Sequence, residues 1–150
     1  SAYNRGYLDS EDYYNKMKGS SGLILYIDGD KIKKINDIYG HDFGDIAIQS
    51  IFEAIKQNVK IKDDIIRMGG DEFLVVMYQC SLKRGESIQV EIAESLRLIS
   101  DHKLSFLDNS LTVSFGLSEF NINQNVSHAI SQADKKMLIA KQDSYKFPAG

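Results

Sequence analysis

A stretch in the middle of the chain reads Asp64-Ile65-Ile66-Arg67-Met68-Gly69-Gly70-Asp71-Glu72-Phe73-Leu74-Val75-Val76-Met77, and it decides the fold. Short apolar runs of this kind are typical of β-strands, and a Gly-Gly pair between two of them predicts a β-hairpin. We expect the two glycines to supply the positive φ angles of a tight turn. Asp71 and Glu72 would then be held where the second strand begins.

A second acidic turn lies earlier in the chain. A strand pattern over Gly22–Ile27 ends in Asp28-Gly29-Asp30, and helical spacing of isoleucines follows over Lys31–Tyr39. Carboxylates at the ends of two neighbouring strands can share one divalent cation. Mg²⁺ prefers oxygen ligands and leaves room for substrate phosphates. Two such ions would support phosphoryl or nucleotidyl transfer.

Composition indicates one globular domain. The chain has 150 residues, 43% of them hydrophobic and 26% charged, and its net charge of −3 disfavours binding to nucleic acid. Cys80 is the only cysteine, which excludes an internal disulfide and favours a cytoplasmic location. No apolar run approaches the roughly 20 residues that span a bilayer, so we expect no direct membrane contact. From the start at Ser1 we expect a domain excised from a larger signalling protein, and that parent could be anchored in a membrane.

Strand and helix patterns alternate along the rest of the chain. The order predicts an α/β fold, an α+β sandwich in which a mixed central sheet of about five strands is flanked by helices. Helices are predicted from Ser10, Asp45, Gly85 and Ser127, a turn over 40–44, and strands over 104–107 and 111–117.

Ordered motifs over nearly the whole chain resemble one family. They are Asn4-Arg5, Asp28-x-Asp30, Lys33-x-x-Asn36-Asp37, Gly40-His41-x-x-Gly44-Asp45, Arg67-x-Gly69-Gly70-Asp71-Glu72-Phe73, Val113-Ser114-Phe115-Gly116 and Ala133-Asp134-x-x-Met137-x-x-Ala140-Lys141. This pattern is similar to that of GGDEF domains, the catalytic domains of bacterial diguanylate cyclases. The resemblance implies a single GGDEF domain over 1–150, with a fold like the palm of nucleotidyl cyclases and polymerases. It also implies condensation of two GTP into cyclic di-GMP and two pyrophosphates.

The resemblance implies a role for each acidic residue. Asp28, the backbone carbonyl of Gly29 and Asp71 would bind two Mg²⁺ or Mn²⁺ ions per active site. Glu72 matches the residue assigned to activating or orienting the 3′-hydroxyl nucleophile. The catalytic set is therefore Glu72, Asp71 and Asp28.

The same resemblance implies a GTP-binding set. Asn36 and Asp45 match guanine readers, and Gly69 and Gly70 would let the α-phosphate approach the backbone. The remaining implied contacts are to phosphates: the backbone amides of Lys31 and Ile32, and the side chains of Lys33 and Lys141. A two-fold symmetric product implies a homodimer for catalysis, and the isolated domain could be monomeric.

Two departures from the family pattern bear on function. Many relatives carry an Arg-x-x-Asp product-inhibition site, and here the corresponding residues are Lys60 and Asp63. Lysine lacks the planar fork of arginine, so we expect a degenerate inhibitory site and weak feedback. Tyr145 stands where relatives often have an arginine that contacts GTP phosphates.

Three other functions remain open at this point. A noncatalytic module could keep the fold and sense GTP or cyclic di-GMP. A variant enzyme could make cyclic GMP-AMP, although Asp45 favours guanine at both half-sites. An unrelated two-metal nuclease gives no account of Asn36 and Asp45.

Overall fold

The protein is described from a computed structural model, which covers residues 2–121 and 126–146. Five strands form one mixed sheet in the order β1-β3-β4-β2-β5, in which only the β1–β3 pair is parallel. The strands are β1 (Tyr3–Asn4), β2 (Gly22–Gly29), β3 (Asp64–Arg67), β4 (Glu72–Tyr78) and β5 (Val113–Phe120). The predicted mixed sheet of about five strands is confirmed.

Within the described residues, five α-helices accompany the sheet: α1 (Glu11–Met17), α2 (Ile32–Tyr39), α3 (His41–Asn58), α4 (Leu82–Lys103) and α5 (Val126–Lys146). A 3-10 helix over Arg5–Asp9 connects β1 to α1. No described helix has the length and apolar character needed to cross a membrane.

Helices cover both faces of the sheet, which explains why every residue of β2 is buried. Side chains alternate along a strand, so odd-numbered β2 residues such as Leu25 pack with α2, α3 and α4. Even-numbered residues such as Ile24 and Tyr26 pack with α1 and α5. Asp28 is even-numbered, and its Cα is paired with that of Glu72 on β4. The register therefore places both acids on the face that α5 covers.

The structure corrects three local predictions and adds one strand pairing. Residues 40–44 are not a turn, because Gly40, at φ 93°, ends α2 and α3 begins at His41. Residues 104–107 are not a strand: Leu104 N–H caps α4 and Leu107 N–H donates back to Leu104. Ser127 lies inside α5 rather than before it. The pairing of β1 with β3 was not predicted, because a two-residue strand has no periodicity to detect.

Candidate active site

The two acidic turns meet at one end of the sheet. Strands β2 and β4 are antiparallel neighbours, and the Gly29 N–H donates to the Asp71 carbonyl oxygen at 3.0 Å. The negative charges of Asp71 and Glu72 both act on the Asp28 carboxyl. The structure thus brings the three predicted catalytic residues to one place.

Asp28 is the buried member of this group, with only 7% of its surface exposed. Burial is the main cause that raises the pKa of Asp28 to about 6; hydrogen bonding to Lys141 opposes the increase, and the charges of Asp71 and Glu72 add to it. Its Oδ1 atom is buried and has no hydrogen-bond partner among the described residues. Burying an oxygen atom without a hydrogen-bond donor or a metal ion to bind it raises the free energy of the folded protein.

Lys141 reaches this carboxylate from α5. Its Nζ donates to Asp28 Oδ2 at 2.8 Å and to the Gly29 carbonyl oxygen at 2.7 Å. The contact is possible because Asp28 points to the sheet face that α5 covers. Two of the predicted metal-binding groups therefore already hold a cation, the lysine ammonium.

These residues fit a divalent metal ion. Among residues 2–121 and 126–146, no cluster of three or more His, Cys, Asp or Glu side chains could hold a metal. The predicted metal-binding set is not a cluster of that kind, because only two of its groups are side chains, the carboxylates of Asp28 and Asp71. Its third group is the backbone carbonyl of Gly29. Mg²⁺ commonly takes one or two carboxylates and completes its shell with water and phosphate. The unpartnered Asp28 Oδ1 is available as a further oxygen ligand.

Asp30 has a different environment from Asp28 although both belong to the same turn. Its Oδ1 accepts from the Ser114 hydroxyl at 2.7 Å and its Oδ2 from the Thr112 hydroxyl at 2.8 Å. The carboxylate is thereby satisfied, and it ties the end of β2 to β5.

Isoleucine side chains pack closely around Gly29, which has no side chain of its own. A Cβ at this position would lie 2.7 Å from Ile32 Cγ1 and 2.9 Å from Ile51 Cδ1. The two isoleucines therefore fill the space beside the carbonyl.

The hairpin turn is held by Arg67 rather than by unusual glycine conformations. Neither Gly69 nor Gly70 has a positive φ, so that prediction was wrong. Arg67 Nη2 donates to the Gly70 carbonyl oxygen at 2.7 Å, and Nε donates to the Gly69 carbonyl oxygen at 3.2 Å. Since β3 ends at Arg67 and β4 begins at Glu72, the connection is also wider than a two-residue turn. A Cβ on Gly70 would meet nothing within 4 Å.

Glu72 has a neighbour that sequence reasoning missed, Tyr26. The Tyr26 hydroxyl lies 3.5 Å from Glu72 Oε2, which is longer than an ordinary O–H···O hydrogen bond and makes this a weak contact. Tyr26 is paired with Leu74 across the β2–β4 ladder, so Glu72 is its diagonal neighbour on the same face. Burial first, then the charge of Glu72, raises the pKa of Tyr26 to about 12. The neutral hydroxyl can therefore donate to the carboxylate.

The predicted guanine readers lie on two consecutive helices. Asn36 is on α2, and Asp45 follows Gly44 on α3. A Cβ on Gly44 would lie 1.7 Å from Asn36 Oδ1, which means that the Asn36 side chain rests directly on the Gly44 backbone. Gly44 is thus a positioning residue for Asn36, and the structure brings Asn36 next to the residue that precedes Asp45.

The predicted phosphate contacts surround the start of α2. Lys31, at φ 60°, is a left-handed residue directly before the helix, and Ile32 is its buried first residue. Lys33 is exposed. A depression of about 410 Å³ is lined by Lys31, Lys33, Lys34 and Asp37. Its lining has three lysines against one aspartate, so the surface there carries a net positive charge that attracts anions.

Lys60 and Asp63 lie away from these groups, in the loop before β3. The Asp63 carboxylate accepts from the Lys60 backbone N–H at 3.0 Å and from the Tyr78 backbone N–H at 3.2 Å. Both of its oxygens are therefore engaged by the protein itself. The side chain of Tyr145 lies outside what the structure describes.

Comparison with known proteins shows the family of this chain. The family described as "Diguanylate cyclase, GGDEF domain" matches residues 3–146. The probable diguanylate cyclase DgcJ of Escherichia coli K12 is 32% identical over 145 residues, covering 94% of this chain and 28% of the relative. Diguanylate cyclase A of Treponema denticola is 33% identical over 124 residues, covering 80% of this chain and 32% of the relative. The chain thus spans about a third of these relatives or less.

A solved structure shows the same architecture. The GGDEF domain of PA1120 from Pseudomonas aeruginosa superposes with a TM-score of 0.75 at 26% identity, covering 95% of this chain and 92% of that one. The chain belongs to the GGDEF family of diguanylate cyclase domains.

Proposed function

We propose that this domain is a diguanylate cyclase that condenses two GTP molecules into cyclic di-GMP and releases two pyrophosphates. The observation that carries the proposal is the meeting of Asp28 from β2 with the Asp71-Glu72 turn, on a chain whose relatives bear that name. Divalent ions at Asp28, Gly29 and Asp71 would lower the pKa of the 3′-hydroxyl and offset charge on the leaving pyrophosphate.

Other residues of the chain direct the proton of the 3′-hydroxyl and bind the guanine and the triphosphate of GTP. Glu72, oriented by Tyr26, accepts or directs the proton of the 3′-hydroxyl. Asn36 and Asp45 recognise the guanine, since an amide and a carboxylate together match its acceptor and its two N–H donors. The lysines around the start of α2 and the backbone amides there bind the triphosphate.

Catalysis needs two copies of the domain. Each copy binds one GTP, so each 3′-hydroxyl must attack the α-phosphate held by the other copy. The two-fold symmetry of cyclic di-GMP fits an isologous dimer. The isolated domain is then slow at low concentration.

The proposal is tested by forcing dimerisation through a parallel coiled coil fused before residue 1. Incubation with Mg-GTP should yield one cyclic di-GMP for every two pyrophosphates, separated by chromatography. The Glu72→Gln variant should lose turnover by about 10²-fold or more while retaining GTP binding. Arg84→Gln, which removes an exposed ion pair to Glu91, is the matched surface control and should leave turnover unchanged.

Other outcomes identify other functions. A forced dimer that binds GTP without making product would indicate a nucleotide sensor. Formation of a mixed dinucleotide from an equimolar mixture of ATP and GTP would indicate a cyclic GMP-AMP synthase. Either outcome would overturn the proposal.

A further inference from the structure

Lys141 places its ammonium on two oxygens of the predicted metal-binding set. Its ammonium contacts Asp28 Oδ2 at 2.8 Å and the Gly29 carbonyl oxygen at 2.7 Å. Both oxygens belong to the proposed metal-binding set. A Mg²⁺ ion would bind such oxygens at about 2.0–2.1 Å. An ammonium on these two oxygens competes with the ion, because both cations draw on the same negative charge and like charges repel at such short distances.

The contact is well protected from solvent. The side chains of Lys141 and Asp28 are 19% and 9% exposed. A buried carboxylate without a counter-ion is strongly unfavourable, so the lysine stabilises the site while no metal is present. Lys136, on the same helix, instead donates to the Leu117 carbonyl oxygen at 3.0 Å and contacts no acid of the site. Of these two lysines on α5, Lys141 contacts Asp28 and Lys136 does not.

We propose that Lys141 is a placeholder cation, which competes with the divalent ion for Asp28 and Gly29 until a nucleotide draws it away. The triphosphate offers the released ammonium a new anionic partner, so metal and nucleotide favour each other's binding. This inference rests on the proposed function, because it takes Asp28 and Gly29 as metal-binding groups. It adds a second role for Lys141, in the nucleotide-free protein.

Competition between the Lys141 ammonium and the metal ion should lower the apparent affinity for the metal by a measurable factor. When a competing state occupies a site nine-tenths of the time, the apparent affinity for a ligand falls about tenfold. We take this occupancy for the ammonium, so its removal should tighten the binding of a metal ion by about that factor in the absence of nucleotide.

The experiment titrates the full chain with Mn²⁺ alone and measures free Mn²⁺ by electron paramagnetic resonance at pH 8.5. The variants are Lys141→Met, which keeps the length of the aliphatic chain, and Lys141→Gln, which keeps a hydrogen-bond donor without the charge. Lys136→Met is the matched control on the same helix. Circular dichroism of each variant establishes that it is folded.

The proposal expects both Lys141 variants to bind Mn²⁺ about tenfold more tightly than the unaltered protein, with Lys136→Met unchanged. Equal or weaker binding by the Lys141 variants would overturn it, as would equal tightening by Lys136→Met. Cyclic di-GMP formation by the unaltered forced dimer is scored separately. If the forced dimer makes cyclic di-GMP but the Lys141 variants do not bind Mn²⁺ more tightly, only the placeholder role of Lys141 is refuted. If the dimer makes no cyclic di-GMP and the protein binds no Mn²⁺, the proposed function is refuted as well.

Discussion

At the residue scale, the ionised carboxylate of Asp28 lowers the stability of the metal-free fold and favours the binding of a metal ion. Its buried carboxylate has a raised pKa, of about 6, and an oxygen without a hydrogen-bond partner among the described residues. A carboxyl group whose pKa is higher in the folded than in the unfolded protein opposes folding once it is ionised. The same unfavourable charge gives the site its attraction for a metal ion. Sites of this kind commonly reduce stability where they support function.

We therefore expect Asp28→Asn to stabilise the metal-free domain. In EDTA at pH 8 the gain in unfolding free energy should be about 1–2 kcal/mol, because the neutral amide avoids burying a charge. The gain should shrink as the pH falls through about 6 and disappear below the ordinary carboxyl pKa of 3.8. Chemical denaturation across this pH range measures it. A loss of stability at pH 8 would contradict the account.

Tyr26 should matter for turnover more than for binding. In Tyr26→Phe, loss of one hydroxyl contact to Glu72 should reduce kcat about 3- to 10-fold and leave the KM for GTP unchanged. Tyr78→Phe is the matched control, since the Tyr78 hydroxyl also lies on the α1–α5 face but donates to Asp64 at 2.7 Å. It should lower stability and not kcat. Equal losses of kcat in both variants would show that Tyr26 acts only through folding.

At the element scale, the hairpin between β3 and β4 shows what a sequence can and cannot predict. Its strands, its antiparallel pairing and its acids follow from apolar runs on either side of two glycines. Its conformation does not, because Arg67 holds the turn through carbonyl contacts that no residue pattern specifies. Lys141 and Asp28 are likewise separated by 113 residues, and only the packing of α5 on the sheet brings them together.

The turn conformation leads to a prediction for Gly70. Since its φ is not positive and a Cβ there would meet nothing, Gly70→Ala should fold normally and be about 0.4–1 kcal/mol more stable. If the α-phosphate approaches this backbone, the KM for GTP should rise by about tenfold, equal to about 1.4 kcal/mol. Thermal unfolding and steady-state kinetics separate the two effects. Unchanged kinetics would remove Gly70 from the phosphate site.

At the scale of the whole molecule, the family determines the fold, and particular residues determine how this member departs from it. The sequence motifs correctly predicted the mixed sheet and the family. They could not reveal that Asp63 accepts from two backbone N–H groups, because one of these contacts joins the loop to Tyr78 on β4. Weak or absent inhibition by cyclic di-GMP through Lys60 and Asp63 stays a prediction.

Product titration checks that expectation. The initial rate of the forced dimer should remain unchanged as cyclic di-GMP is added up to the concentration of GTP. Asp63→Ala should lower the free energy of unfolding by about 1–2 kcal/mol, through its lost backbone contacts, and should leave this insensitivity intact. Strong inhibition that disappears in Lys60→Ala would show that the inhibitory site is functional.

The central claim is that carboxylates from two turns share divalent ions beneath a triphosphate. Anomalous diffraction from crystals grown with Mn²⁺ and a nonhydrolysable GTP analogue tests it most directly. The account predicts a manganese peak within about 2.5 Å of the Asp28 carboxylate, the Gly29 carbonyl oxygen and the Asp71 carboxylate. It also predicts that Lys141 has moved from Asp28 to the triphosphate. A peak bound to only one of the two acids, or a nucleotide bound elsewhere on the sheet, would contradict it.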